Sequence, residues 1–84
     1  MPGKAEKLLE RMKRSQVNWK RKDFDSLYTG FGFIIMHGSS HDRVMHPDYP
    51  ELGKKAIPRH NSVGRVYVRM AIKLITDLKK LQED

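Results

Sequence analysis

The chain has 84 residues, which predicts one small domain, and its lack of cysteine excludes disulfides and thiolate metal sites. Its 17 Lys and Arg against 10 Asp and Glu give a formal charge of +7, which favours polyanionic partners through a field that salt screens. No apolar run reaches the roughly 18 residues of a membrane span, and the N-terminus lacks the apolar core of a signal peptide, so we expect a cytoplasmic protein without membrane contact.

The first predicted element is an amphipathic helix from about Gly3 to Arg14. Its apolar residues recur at helical spacing and are Ala5, Leu8, Leu9 and Met12. Eight basic but only two acidic residues precede Asp23, so this part is also a candidate phosphate-binding arm, although a solvated helix face explains the charges equally well. We assign residues 1–17 to an N-terminal helical extension and residues 18–82 to the core of a single domain spanning 1–84.

A second helix is predicted from about Lys20 to Phe31, after a polar connection in which Trp19 anchors the joint between the two helices. Its apolar residues share one face and are Phe24, Leu27, Tyr28 and Phe31. Asp23 and Asp25 lie near its N-terminus, where the helix dipole favours acids. Gly32 supplies the left-handed residue that ends the helix.

A β-hairpin follows. The run from Phe33 to Met36 is rich in β-branched and aromatic residues, Gly38-Ser39-Ser40 is a turn-forming cluster, and Pro47 ends the second strand. Side chains alternate along that strand, so one face carries His41, Arg43 and Met45 and the other carries Asp42, Val44 and His46. With Val44 in the core, an imidazole and a guanidinium stand side by side on the open face.

The remaining elements complete the fold. Pro47 to Gly53 is a predicted loop, Lys54 to Pro58 a third strand with a poor pattern, and Arg59 to Val63 a polar connection. The last helix begins at Gly64 or Arg65 and ends near Lys80, and its broad apolar face makes it the main core helix. The order predicts an α+β fold, a two-layer sandwich in which a three-stranded antiparallel sheet has its helices on one face.

Six short segments occur in a distinctive order and spacing that covers nearly the whole chain. They are Asn18-Trp19, Phe31-Gly32-Phe33, Gly38-Ser39-Ser40-His41, His46-Pro47, Ile57-Pro58-Arg59-His60 and Val66-Tyr67-Val68-Arg69. Together they resemble the HicA family of toxins, the small ribonucleases of type II toxin–antitoxin pairs. The resemblance implies a fold similar to the double-stranded-RNA-binding domain with the order α-α-β-β-β-α. It also implies mRNA cleavage with growth arrest, and neutralisation by a HicB-like antitoxin that covers the catalytic histidine.

The family motif, a Gly-Ser-His turn followed by a strand closing in His-Pro, places the catalytic histidine on His41 and the serine on Ser40. The family glycine falls on Ser39, with Gly38 one position earlier. A ribonuclease that needs no metal or other cofactor uses the RNA's own 2′-hydroxyl as nucleophile. It requires a base for that proton and a cation for the charge on phosphorus, tasks that suit histidine and arginine.

We therefore predict that His41 acts as general base, or as general acid in the second half of the reaction. Arg43 is its predicted electrophilic partner, an inference from strand parity alone. The backbone N–H groups of Gly38, Ser39 and Ser40 are candidate phosphate contacts, although plain turn chemistry explains these residues equally well. Residues predicted to hold RNA by charge are Lys54, Lys55 and Arg59.

The four histidines do not predict a metal site. Strand parity separates His41 from His46, and no acidic or thiol ligand has a suitable spacing. We interpret His46 and His60 as structural residues beside prolines, and His37 as an exposed hairpin residue whose part in catalysis stays open.

Two other classes of function remain open. In a non-catalytic RNA-binding module on the same scaffold, His41 would only contact a phosphate or a 2′-hydroxyl. A DNA-binding regulator would need an exposed polar recognition helix, and the last helix is too apolar to serve.

Overall fold

The computed structural model describes residues 3–59 and 62–83. Its helices are α1 (Lys4–Arg14), α2 (Arg21–Gly30) and α3 (Arg65–Glu83), and a short 3-10 turn spans Pro50–Leu52. Its strands are β1 (Trp19–Lys20), β2 (Ile34–His37), β3 (Asp42–Met45), β4 (Lys55–Ile57) and β5 (Ser62–Val63). The fold is α+β, as predicted. Of the helices in these two segments, none has the length and apolar character needed to cross a membrane.

Strands β2, β3 and β4 form an antiparallel sheet with β3 in the centre, which confirms the predicted hairpin and third strand. Val44 of β3 and Ile57 of β4 are buried on the side covered by the helices. Arg43 and its cross-strand partner Ala56 are exposed on the other side. The alternation of side chains along β3 therefore separates a core face from an open face, as predicted from Val44.

The helical layer supplies most of the hydrophobic core. Helix α3 contributes Val68, Ala71, Leu74, Ile75 and Leu78, and helix α2 contributes Phe24, Leu27 and Tyr28. Helix α2 ends as predicted, because Gly32 follows it with a φ of 91°, a left-handed conformation that favours glycine. A Cβ on Gly32 would also meet Nε2 of the buried His46 at 2.9 Å, so the joint between α2 and β2 requires glycine.

Helix α1 belongs to the same core, although the sequence places it in an extension. Leu9 and Met12 are fully buried, and the helix contacts both α2 and α3. A Cβ on Gly30 at the end of α2 would overlap the Cβ of Ala5, so the two helices approach closely there. The helix therefore acts as a scaffold element.

A second, two-stranded sheet corrects the prediction of a polar connection from Arg59 to Val63. Strand β5 pairs antiparallel with β1, so that Trp19 lies opposite Val63 and both side chains are buried. The prediction was wrong because a two-residue strand carries no periodic pattern, and the pairing depends on a tertiary contact. Helix α2 accordingly begins at Arg21, one residue after β1. His60 lies outside the described residues.

Candidate active site

The tip of the β2–β3 hairpin is a four-residue loop from Gly38 to His41. The backbone N–H of Gly38 donates to the carbonyl of His41 over 3.1 Å and closes the loop. A Cβ on Gly38 would meet the same carbonyl oxygen at 2.5 Å, which explains why glycine stands at this position. The side chain of His41 is exposed at the end of the loop, as the sequence predicts.

An open cavity of about 310 Å³ lies against the hairpin tip. Its lining residues are Met36, His37, Gly38, Ser39, Ser40, His41, Arg43 and Lys54. The structure thus brings together six of the eight predicted site residues, including His41 and Arg43. Arg43 is exposed on the open face of the sheet, where strand parity placed it.

The two other predicted residues do not line this cavity. Lys55 pairs with Val44 and is exposed at the side of the sheet that faces the helices. Arg59 is occupied within the protein, because its Nε lies 2.8 Å from Oδ1 of Asp42 and its Nη2 donates to the carbonyl of Gly38. Its guanidinium therefore ties the hairpin loop to the segment that follows β4. Its contact with RNA stays a prediction.

Asp42 is the centre of a charged network that the sequence analysis missed. Its side chain is only 4% exposed. Its carboxylate oxygens lie 2.8 Å from Nη1 of Arg21, 2.8 Å from Nε of Arg59 and 3.2 Å from Nδ1 of His37. Arg21 also donates to Asp25 over 2.8 Å and to the carbonyl of Pro58 over 3.1 Å. The network joins α2, both hairpin strands and the end of β4.

One sequence signal could have located this network. Strand parity already placed Asp42 on the core side of β3, where a carboxylate needs partners. In a hairpin with a four-residue loop, the last residue of β2 faces the first residue of β3, which pairs His37 with Asp42. The contact from Arg21 joins two segments that are distant in the sequence, so no local pattern predicts it.

The network determines the charge of Asp42. Burial raises the pKa of the Asp42 carboxyl, but hydrogen bonds from Arg21, Arg59 and His37 outweigh it and hold the pKa well below its ordinary value. The carboxylate is therefore ionised at neutral pH and acts only as an acceptor. Burial lowers the pKa of Arg21, whereas its hydrogen bonds to Asp25 and Asp42 raise it, and the net pKa is above the ordinary value.

We expect the stabilising effect of Asp42 to depend on pH. Because its pKa is lowered on folding, its contribution is fully present above the unfolded-state pKa of about 3.9 and is lost as the pH falls toward the lowered value. Asp42→Asn should therefore lower the melting temperature at pH 7, and the gap to the wild type should narrow from about pH 4 downward. Thermal melts from pH 7 to pH 2.5 measure this. The assignment of this pH dependence to Asp42 would be contradicted if the difference in melting temperature were the same at pH 7 and pH 2.5. It would also be contradicted if Asp48→Asn, at a more exposed aspartate, had an equal effect on the melting temperature.

His46 is structural, as the sequence predicts. The residue is buried, and its Nδ1 accepts the backbone N–H of Asp48 over 3.2 Å. Its Nε2 therefore carries the proton and donates to the carbonyl of Phe31 over 3.2 Å. The ring also packs edge-to-face against Phe33 and Tyr49, with centroids 5.0 and 5.1 Å away. Both ring nitrogens are occupied, so His46 has none left for chemistry.

No group of three or more His, Cys, Asp or Glu within residues 3–59 and 62–83 has the arrangement of a metal site. The chain matches no family model, no curated protein and no solved structure.

Proposed function

We propose that the chain is a toxin endoribonuclease that cleaves mRNA without a metal, with His41 as its general base. The observation that carries this proposal is the cavity in which the exposed His41 lies beside Arg43 and Lys54. A cavity that combines one imidazole with two cations fits a phosphodiester and its neighbouring 2′-hydroxyl.

The reaction follows from these groups. His41 takes the proton of the 2′-hydroxyl and the 2′-oxygen attacks phosphorus. The bond from phosphorus to the 5′-oxygen breaks with its electron pair on that oxygen, which takes up a proton. The products are a 2′,3′-cyclic phosphate and a 5′-hydroxyl end. Arg43 stabilises the charge that develops on the non-bridging oxygens, since a guanidinium donates forked hydrogen bonds to phosphate. Lys54 adds positive charge at the rim of the cavity.

The loop residues support phosphate binding at the same place. Gly38, Ser39 and Ser40 are exposed and line the cavity, and the absence of bulky side chains lets a phosphate approach the backbone. The net charge of +7 attracts RNA over a longer range, contributing affinity more than sequence preference.

The resemblance to HicA toxins extends this proposal to the biological role. The sequence of elements α2, β2, β3, β4 and α3 agrees with a fold similar to the double-stranded-RNA-binding domain. On this basis the substrate is mRNA in the cytoplasm, and the partner is a HicB-like antitoxin that covers the open face at His41. Production of the toxin without its antitoxin arrests growth.

The test uses the purified chain with single-stranded RNA in excess EDTA. We expect the RNA to be cut and an oligonucleotide of the same sequence with 2′-deoxyribose throughout to remain intact, because the nucleophile is missing. Cleavage of the deoxy oligonucleotide, or cleavage that stops when EDTA is added, would contradict the mechanism. Binding of RNA without any cleavage would instead support the non-catalytic RNA-binding module.

Two adjacent lysines provide a matched pair for RNA affinity. Lys54→Ala should weaken the binding of an uncleavable 2′-O-methyl RNA and lower the slope of log K against log salt by about 0.7, the loss of one phosphate contact on a single strand. Lys55→Ala removes the same charge from outside the cavity and should change the slope less. Fluorescence anisotropy at several salt concentrations measures both. Equal effects of the two substitutions would show that the cavity does not hold the phosphate.

A further inference from the structure

The pairing of His37 with Asp42 has the geometry of a histidine oriented by a carboxylate. The imidazole is 76% exposed, whereas the carboxylate beside it is 4% exposed, and the Nδ1 to Oδ1 distance is 3.2 Å. An ionised carboxylate can only accept a hydrogen bond, so Nδ1 of His37 carries a proton. Nε2 of His37 is then the nitrogen left to exchange a proton at the exposed side of the ring.

The carboxylate that orients His37 is itself held in place. Arg21 contacts one oxygen of Asp42 and Arg59 the other, each at 2.8 Å. Arg59 also donates to the carbonyl of Gly38, the residue that follows His37. The same network therefore fixes both the carboxylate and the backbone beside the imidazole, which limits the directions in which the ring can point.

His37 and His41 line the same cavity from the two ends of the four-residue loop. Their side chains reach it differently. His37 faces the buried Asp42 across the hairpin, whereas His41, in the loop before β3, also lines a neighbouring cavity with Arg59 and Tyr67. In-line displacement at phosphorus requires the attacking oxygen and the leaving oxygen on opposite sides, so a base and an acid must approach the phosphate from two directions.

Building on the proposed function, we propose that His37 is the general acid that protonates the 5′-oxygen leaving group, and that Asp42 is its positioning residue. His41 accepts the proton of the 2′-hydroxyl as the bond from the 2′-oxygen to phosphorus forms. The bond from phosphorus to the 5′-oxygen breaks with its electron pair on oxygen, and the imidazolium of His37 gives that oxygen a proton. The two histidines have then exchanged protonation states, and proton exchange with water restores them.

If His37 had only a structural role, its loss would slow the cleavage of both kinds of substrate equally. We expect little effect on folding, because ion pairs that involve a mostly exposed side chain contribute little to stability. The loss of His37 should therefore barely change the melting temperature. A general acid, in contrast, matters only when the leaving group needs a proton. A leaving group that is stable as an anion separates the two roles without changing the protein.

The experiment compares wild type, His37→Ala and His41→Ala on two RNAs that differ at one mapped cleavage site. One carries the normal 5′-oxygen, and the other carries a bridging 5′-sulfur, which leaves as a thiolate without protonation. We expect His37→Ala to cut the oxygen substrate roughly 10²–10⁴-fold more slowly than wild type and the sulfur substrate at close to the wild-type rate. His41→Ala should lose activity on both, because the base is needed in each case.

A second variant keeps the contact and removes the acid. In His37→Gln the side-chain amide can still donate to Asp42, but it has no proton to transfer. We expect the same selective loss on the oxygen substrate, together with an unchanged melting temperature. Asp42→Asn should show a smaller loss confined to the oxygen substrate, which is the signature of a positioning residue.

The outcomes separate this inference from the proposed function. If both His37 variants cut the two substrates like wild type, or lose both equally, His37 is not the acid, whereas cleavage that depends on His41 still supports the proposed function. If wild type cuts neither RNA, the proposed function itself fails.

Discussion

Replacing His41 by alanine should lower the rate of RNA cleavage by roughly 10²–10⁴-fold, the contribution typical of a general acid or base. The side chain is exposed, and the hydrogen bond that closes the loop uses the backbone carbonyl of His41, which alanine retains. The melting temperature and the affinity for 2′-O-methyl RNA should therefore stay close to those of the wild type. Initial rates on a labelled RNA in EDTA, together with a thermal melt, measure the two effects separately.

Thr29 provides a control for this comparison. It is exposed near the C-terminal end of α2. Arg21, which connects the helix to Asp42, lies at the N-terminal end. Thr29→Ala should cleave RNA at the wild-type rate. If His41→Ala cleaves RNA as fast as Thr29→Ala, the imidazole of His41 takes no part in the mechanism. A variant that loses cleavage only because it no longer binds RNA would assign His41 to binding.

Truncating Leu9 to alanine should destabilise the protein by about 2–5 kcal/mol, the usual cost of a cavity left by a buried leucine. Leu9 is fully buried in α1, which contacts α2 and α3. Because small domains are stable by only about 5–15 kcal/mol, this single change is expected to remove a large part of the total. Urea denaturation followed by circular dichroism measures the free energy of unfolding.

The matched control lies two residues away on the same helix. Lys7 is exposed, so Lys7→Ala should change the free energy of unfolding by no more than about 0.5 kcal/mol. If Leu9→Ala were as stable as Lys7→Ala, α1 would be a dispensable extension. That result would contradict the conclusion that α1 is part of the hydrophobic core.

The hairpin and its two faces could be predicted from the sequence because strand periodicity is a local property. Val44 lies two residues from Asp42 and one from Arg43, so a single buried valine assigns each neighbour to a face. The turn residues identify the loop, and the cavity forms where that loop meets the open face. Most of the candidate site is therefore encoded within about ten consecutive residues.

The features that escaped prediction depend on contacts between distant segments. Arg21 reaches Asp42 only because the first residue of α2 lies beside the first residue of β3, and β5 exists only because Val63 meets Trp19. The periodicity of α1 predicts an apolar face but not its partners, which are α2 and α3. The contacts from Arg21 and Arg59 hold the carboxylate of Asp42 beside His37.

The central claim is that the hairpin tip activates the RNA's own 2′-hydroxyl through His41. Its most direct test is the chemistry of the RNA ends that the purified protein produces in EDTA. Mass spectrometry of the fragments should find a 2′,3′-cyclic phosphate on one side of each cut and a 5′-hydroxyl on the other, and far less of both after the same reaction time with His41→Ala. Fragments with 5′-phosphate ends, or RNA that stays intact, would contradict it.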